Sequence, residues 1–99
     1  MSELRPQTVS RFLHVQGFTR SVRTRGRLTD GWTEGYAVRA VFGEVRVEWL
    51  RSSNYRMGDQ DTLPRQISAM EKVLGTRYTV TREEARVGDR PTLIVSEKP

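Results

Sequence analysis

Residues 35–51 read Gly-Tyr-Ala-Val-Arg-Ala-Val-Phe-Gly-Glu-Val-Arg-Val-Glu-Trp-Leu-Arg, and this stretch decides the fold. Apolar residues alternate with others on both sides of Gly43-Glu44, and a glycine in first place is typical of a two-residue type II′ turn. The stretch therefore predicts a β-hairpin. The pairs expected on its apolar face are Phe42/Val45, Ala40/Val47, Val38/Trp49 and Tyr36/Arg51. The pairs expected on the other face are Val41/Arg46, Arg39/Glu48 and Ala37/Leu50.

Two amphipathic helices are predicted, one on each side of the hairpin. Apolar side chains recur at helical spacing over residues 6–16, and Gly17 follows where a Schellman motif would end the helix. The same spacing predicts a second helix over residues 63–74, with Asp61 or Thr62 as its N-cap. Each helix has one apolar face, which must be buried against another layer.

The remaining elements complete an α+β fold. Strands are expected over residues 19–28, 32–42, 45–51, 77–83 and 92–96. The predicted order is α-β-β-β-α-β-β, with two helices packed on one face of a single, mainly antiparallel five-stranded sheet. Residues 1–99 are expected to form a single domain, in which residues 5–51 and 61–97 suggest αββ-type half-repeats.

The composition limits the class of protein. The chain has 99 residues, no cysteine and a net charge of +5. The lack of cysteine excludes a disulfide scaffold, a thiol nucleophile and thiolate metal sites. No apolar run approaches the ~18 residues that span a bilayer, and residues 1–6 lack the apolar region of a signal peptide. We therefore expect a cytoplasmic protein that does not bind membranes and is a monomer or a homodimer.

The residues that could carry chemistry do not form a catalytic or metal-binding pattern. His14 is the only histidine and lies one helical turn after Ser10, but no carboxylate on the helix lies beside them to orient the ring. Asp59 and Asp61 alternate as metal ligands can, but the glycine and later glutamate of a calcium loop are missing. We therefore expect no enzyme activity, no catalytic or metal-binding residue and no cofactor. A nuclease-like toxin with His14 in its site is the remaining alternative.

Arginine is concentrated near the N-terminus. Fifteen of the 17 basic residues are arginine, and residues 1–30 carry six arginines against two acids. The guanidinium is a planar fork for phosphate, and alternate residues of a strand lie about 7 Å apart on one face. The nucleic-acid or partner-binding residues expected in this stripe are Arg20, Arg23, Arg25 and Arg27, with Arg11 of the preceding helix as a further candidate. The competing interpretations are a charged sheet surface that prevents aggregation and the arginine-rich coding of a GC-rich genome.

A second candidate surface is the loop that follows the hairpin. Residues 52–60 have no apolar period, and long loops often carry function. The partner-binding residues expected here are Arg51, Asn54, Tyr55 and Arg56, which combine charge, an amide and an aromatic ring. The alternative is an ordinary connection between a strand and a helix.

Several phrases of the sequence resemble one group of proteins. They are Leu4-Arg5-Pro6, Gly17-Phe18-Thr19-Arg20-Ser21, Gly35-Tyr36, Val45-Arg46-Val47-Glu48-Trp49 and the Gly–Tyr–Thr–Val pattern after the last helix. In these phrases the chain is similar to small uncharacterised α+β proteins of actinobacteria and their phages. The resemblance implies that the protein comes from a mobile genetic element. It does not identify any functional residue in this chain.

These observations favour a binding function. We expect a small non-enzymatic binding or modulator protein that engages a host macromolecule through an Arg-rich surface, and the leading partner is a host protein. The alternative is a nucleic-acid-binding protein that contacts phosphates through the strand from Arg20 to Arg27. The sequence does not decide between protein and nucleic acid.

Overall fold

The computed structural model of the chain describes residues 4–25, 30–56, 58, 60–84 and 91–99. The elements in these residues are α1 (Pro6–Val15), β1 (Arg23–Arg25), β2 (Asp30–Trp32), β3 (Gly35–Val41), β4 (Glu44–Leu50), α2 (Leu63–Gly75), β5 (Tyr78–Glu83) and β6 (Thr92–Glu97). The α+β class is confirmed, and both helices lie within one residue of their predicted bounds.

The strands form two sheets, and the prediction of a single five-stranded sheet is wrong. Strands β3, β4, β6 and β5 lie side by side in that order, and each neighbouring pair is antiparallel. Strands β1 and β2 form a separate antiparallel pair. The main sheet therefore has four strands in the described part of the chain.

Hydrogen bonds at Thr33 explain why the predicted first arm of the hairpin is divided. Residues 19–21 touch β3 through one parallel bridge to Tyr36, and the chain then turns away to form β1. The Val22 N–H donates to the Thr33 hydroxyl at 2.9 Å, and the Thr33 N–H donates to Val22 O at 2.9 Å. These bonds extend the β1–β2 pairing as far as Thr33. The predicted 32–42 strand is therefore split between two sheets.

The β3–β4 hairpin forms, but the predicted register is wrong. Phe42 and Gly43 make the turn with φ values of 49° and 80°, which is the type I′ geometry. The Cα partners are Val41/Glu44, Ala40/Val45, Arg39/Arg46, Val38/Val47, Ala37/Glu48, Tyr36/Trp49 and Gly35/Leu50. Each β3 residue faces a β4 residue two positions earlier than predicted, so the paired residues keep their predicted faces. Phe42, predicted on the apolar face opposite Val45, instead lies in the turn and is exposed. The Arg39–Glu48 ion pair still forms, at 2.6 Å, as a diagonal contact.

Both helices pack on one face of the main sheet, as predicted. Helix α1 lies against β3, and α2 lies against β4, β5 and β6. The buried residues of the core are Val9, Leu13, Tyr36, Val45, Val47, Trp49, Leu63, Ile67, Met70, Leu74, Tyr78, Leu93 and Val95. Since α1 lies against β3, the outermost strand, the first helix and this edge of the sheet lie next to each other.

The end of α1 directs the chain toward that edge. Gly17 has a φ of 97°, and its N–H donates to His14 O at 3.0 Å, while the Phe18 N–H donates to Leu13 O at 3.1 Å. These two bonds are the Schellman motif predicted from the sequence.

No helix in the described ranges is long and apolar enough to cross a membrane.

Candidate binding groove

Among the described residues, the outer edge of β3 is covered only at its start. Strand β3 is the first strand of the main sheet, so one of its edges has no neighbouring strand among the described residues. The Tyr36 N–H donates to Thr19 O, and Tyr36 O accepts a bond from the Ser21 N–H, each at 2.9 Å. Residues 19–21, an extended segment of the chain itself, thus occupy the first position of this edge.

No segment that the structure describes covers the next positions of the same edge. Both backbone groups of Tyr36 point away from β4, and alternation along an antiparallel strand directs those of Val38 and Ala40 the same way. Within the described ranges, neither Val38 nor Ala40 has a backbone partner on this side. An open edge of this kind can accept a strand from another chain.

A groove of about 670 Å³ runs beside the edge, between α1 and β3. Tyr36 lies at its base, and its hydroxyl donates to Ser10 O at 3.0 Å. The Ser10 hydroxyl donates back to the Tyr36 hydroxyl at 3.4 Å. These contacts tie α1 to β3, so the two walls of the groove are held together.

The groove is basic. Its lining includes Arg11 and His14 from α1 and Arg20 from the segment that covers the start of the edge, and all three side chains are exposed. The described lining residues include no Asp or Glu. The groove therefore places positive charge beside open backbone groups.

The predicted arginine stripe is divided between different elements. Arg20 lies in the groove, whereas Arg23 is exposed in β1 and lines a second pocket, of about 390 Å³, together with Trp32. Arg25 also belongs to β1, and Arg27 lies outside the described residues. Arg20 is thus grouped with α1, while Arg23 and Arg25 belong to the separate β1–β2 pair.

Arg51, from the predicted loop surface, is engaged within the chain. Its Nε and Nη2 atoms donate to Oδ1 and Oδ2 of Asp61 at 2.9 and 2.7 Å. These hydrogen bonds hold the pKa of Asp61 below its usual range and raise the pKa of Arg51. Asp61 Oδ1 also accepts a bond from the Leu63 N–H at 3.2 Å, next to the N-cap residue Thr62. The pair therefore joins the end of β4 to the first turn of α2.

The other predicted loop residues surround this ion pair. The guanidinium carbon of Arg51 lies 5.3 Å from the centre of the Tyr55 ring, which is a cation–π contact. Asn54 is exposed, and its N–H donates to Ser52 Oγ at 3.2 Å. Arg56 is also exposed. Partner binding by this loop stays a prediction, with Asn54 and Arg56 as its most accessible members.

The groove unites residues that the sequence assigns to separate features. Arg11 and Arg20 belong to the arginine stripe, and His14 belongs to the exposed face of a helix. The open edge of β3 has no signal of its own, because alternation looks the same in an edge strand and a central strand. One sequence signal is Gly35, since a glycine within a strand often marks the close approach of another backbone.

Comparisons with known proteins assign no family to the chain. No family model, no curated protein and no solved structure matches it. In the described ranges, no group of three or more His, Cys, Asp or Glu side chains could hold a metal ion. Function is therefore inferred from the groove and the strand edge themselves.

Proposed function

We propose that this chain is a non-enzymatic binding protein that holds an extended, acidic segment of a partner protein along the outer edge of β3. The observation that carries the proposal is that, among the described residues, the edge of β3 is open at Val38 and Ala40, and that Val38 lines the same groove as Arg11 and Arg20. The edge offers main-chain hydrogen bonds, and the groove offers positive charge. This combination suits the addition of a peptide strand to a sheet. A mobile-element origin would make the partner a protein of the host cell.

The partner segment would begin where residues 19–21 leave the edge. A strand of about three or four residues can bond the N–H and C=O groups of Val38 and Ala40. Its side chains would alternate between the helix side and the open face of the sheet. Acidic side chains on the helix side would lie near Arg11 and Arg20, which accounts for the charge of the segment.

Nucleic acid suits this site less well. Phosphates could pair with the arginines, but a strand edge offers alternating donors and acceptors that match another peptide backbone. Single-stranded nucleic acid is usually held by exposed aromatic rings, and the aromatic residue in the described lining, Tyr36, is buried. Nucleic-acid binding is therefore the alternative function, and a binding experiment must distinguish it from peptide binding.

Selection from a phage-displayed library of random peptides tests the proposal. The immobilised full chain should enrich peptides rich in Asp and Glu. A fluorescein-labelled copy of one selected peptide should bind at least about tenfold more weakly to the double variant Arg11→Glu/Arg20→Glu. The matched control is Arg65→Glu, an exposed arginine on α2, which should leave the affinity within about twofold.

Three results would remove the proposal. The first is enrichment of peptides without acidic residues, and the second is an equal loss of affinity in the groove variant and the control. The third is tight binding of a labelled single-stranded DNA with a steep dependence on salt, abolished by Arg11→Glu/Arg20→Glu, since release of counterions from phosphates gives that dependence. The third result would establish the nucleic-acid alternative instead.

A further inference from the structure

The turn of the β3–β4 hairpin contains an unfavourable residue. Phe42 has a φ of 49°, and it is the non-glycine residue with a positive φ in the described part of the chain. Asn, Asp or Gly is preferred at the first position of a type I′ turn, because a β carbon is disfavoured in the left-handed region. If only the turn is considered, asparagine at position 42 would be less strained than phenylalanine.

Within the part of the chain that the structure describes, the Phe42 side chain makes no contact that would offset this strain. It is 100% exposed, whereas Val15, Val22 and Trp32 are 74%, 55% and 41% exposed. Trp32 also donates a hydrogen bond from Nε1 to Arg51 O at 2.6 Å, so its ring has a role in the fold. A fully exposed Phe42 ring has no comparable role among the described residues.

Two separate costs therefore fall on the same residue, a strained backbone and an apolar ring in water. A single exposed apolar residue is common and alone would indicate nothing. Backbone strain adds information, because strained residues persist at sites that bind ligands or partners. We propose that Phe42 is an anchor residue, whose ring enters an apolar pocket of a partner protein.

The fold presents this anchor well. A two-residue turn holds the ring at the tip of a paired hairpin, so little conformational freedom remains to be lost on binding. Aromatic residues that fill a partner's pocket frequently dominate the affinity of an interface. The turn lies about 13 Å along β3 from Val38, so one partner could contact both the open edge and the tip. The proposal that Phe42 is an anchor depends on the geometry of the turn. It is independent of the proposed binding in the groove, because it does not require an acidic segment.

Thermal unfolding provides the first test. Phe42→Asn should raise Tm by about 4 °C, because asparagine tolerates the left-handed conformation better. An unchanged or lower Tm would show that phenylalanine does not destabilise the turn, and the proposal would fall.

Site-specific photo-crosslinking provides the second test. The full chain carrying p-benzoyl-phenylalanine in place of Phe42 is irradiated in a lysate of the organism that encodes it. The control carries the same photoreactive residue in place of Val15, which is exposed on α1. An adduct specific to the turn should disappear when excess unlabelled wild-type chain or the Val15→Asn variant is added. The Phe42→Asn variant should compete at least about tenfold more weakly.

The crosslinking result can also overturn the proposal. If no adduct is specific to the turn, no partner contacts the tip. If Phe42→Asn competes as well as the wild-type chain, a partner contacts the turn without using the ring. Either result rejects Phe42 as an anchor.

Discussion

Gly35 and Ser21 lie so close together that no side chain fits between them. A β carbon at Gly35 would overlap Ser21 N and would come within 2.5 Å of backbone atoms of Thr19 and Arg20. Glycine therefore lets this segment bond to the start of the β3 edge, where it covers Tyr36 and leaves the following positions open. The place at which the edge becomes available to another chain is set by this contact.

Gly35→Ala should lower the free energy of unfolding by about 1–3 kcal/mol, because the added methyl group meets backbone atoms that cannot move aside cheaply. Urea unfolding measures the change. The matched control is Gly75→Ala at the end of α2, where the new methyl group meets no atom within 4 Å apart from its chain neighbours and the backbone of its own helix. That variant should be as stable as the wild type or more stable by up to about 1 kcal/mol. Equal stability of the two variants would contradict the close contact.

Tyr36→Phe should destabilise the protein by about 1 kcal/mol, because it removes the buried hydroxyl that bonds to Ser10 O. Tyr78→Phe is the control, since Tyr78 is also buried but its hydroxyl has no hydrogen-bond partner among the described residues. Urea unfolding of both variants should show a loss only at Tyr36. A Tyr36→Phe variant with wild-type stability would mean that the hydroxyl does not hold α1 to β3.

The Arg51–Asp61 pair should make stability depend on pH in the acidic range. The folded-state pKa of Asp61 lies below its unfolded value of about 3.9, so the unfolded chain binds this proton more readily. The stabilisation is therefore present above about pH 5 and is lost as the pH falls through the folded pKa. Because the pair is partly exposed to solvent, we expect it to contribute no more than about 1 kcal/mol.

Asp61→Asn isolates this contribution, because asparagine keeps an oxygen for the Leu63 N–H but loses the charge. The difference in urea midpoint between the wild type and this variant should be constant near neutral pH and shrink toward pH 2. A difference that does not change with pH would show that the ion pair contributes nothing.

The sequence predicts the elements that depend on local chemistry. The apolar stripe of α2 and the glycine at the end of α1 are local patterns, and the structure confirms both. The faces of the paired hairpin residues are also correct, because burial fixes which side of the sheet each residue takes, but Phe42 lies in the turn and not on the apolar face. The pattern has a period of two, however, so it cannot distinguish two registers that differ by two positions. The position of the turn decides between the two registers. The observed turn begins at Phe42, a residue type that is not expected at the first position of a type I′ turn.

Contacts between distant parts of the chain could not be predicted in the same way. The departure of β1 from the main sheet depends on Thr33 bonding to Val22, and neither residue has a distinctive local pattern. Arg51 is equally suited by its chemistry to a partner or to Asp61, and only the fold brings Asp61 within reach. The groove is a third such case, because it exists only where α1 lies beside an edge strand.

Hydrogen exchange at Val38 and Ala40 tests the central claim most directly. In the free protein, the amide hydrogens of Val38 and Ala40 should exchange faster than is usual within a sheet. The Tyr36 amide, which is bonded to Thr19 O, should be protected. Saturation with a selected acidic peptide should slow exchange at Val38 and Ala40 by at least about tenfold and leave Tyr36 unchanged. Slow exchange at both residues in the free chain, or protection gained at residues 51–56 instead, would contradict the binding of a partner strand at this edge.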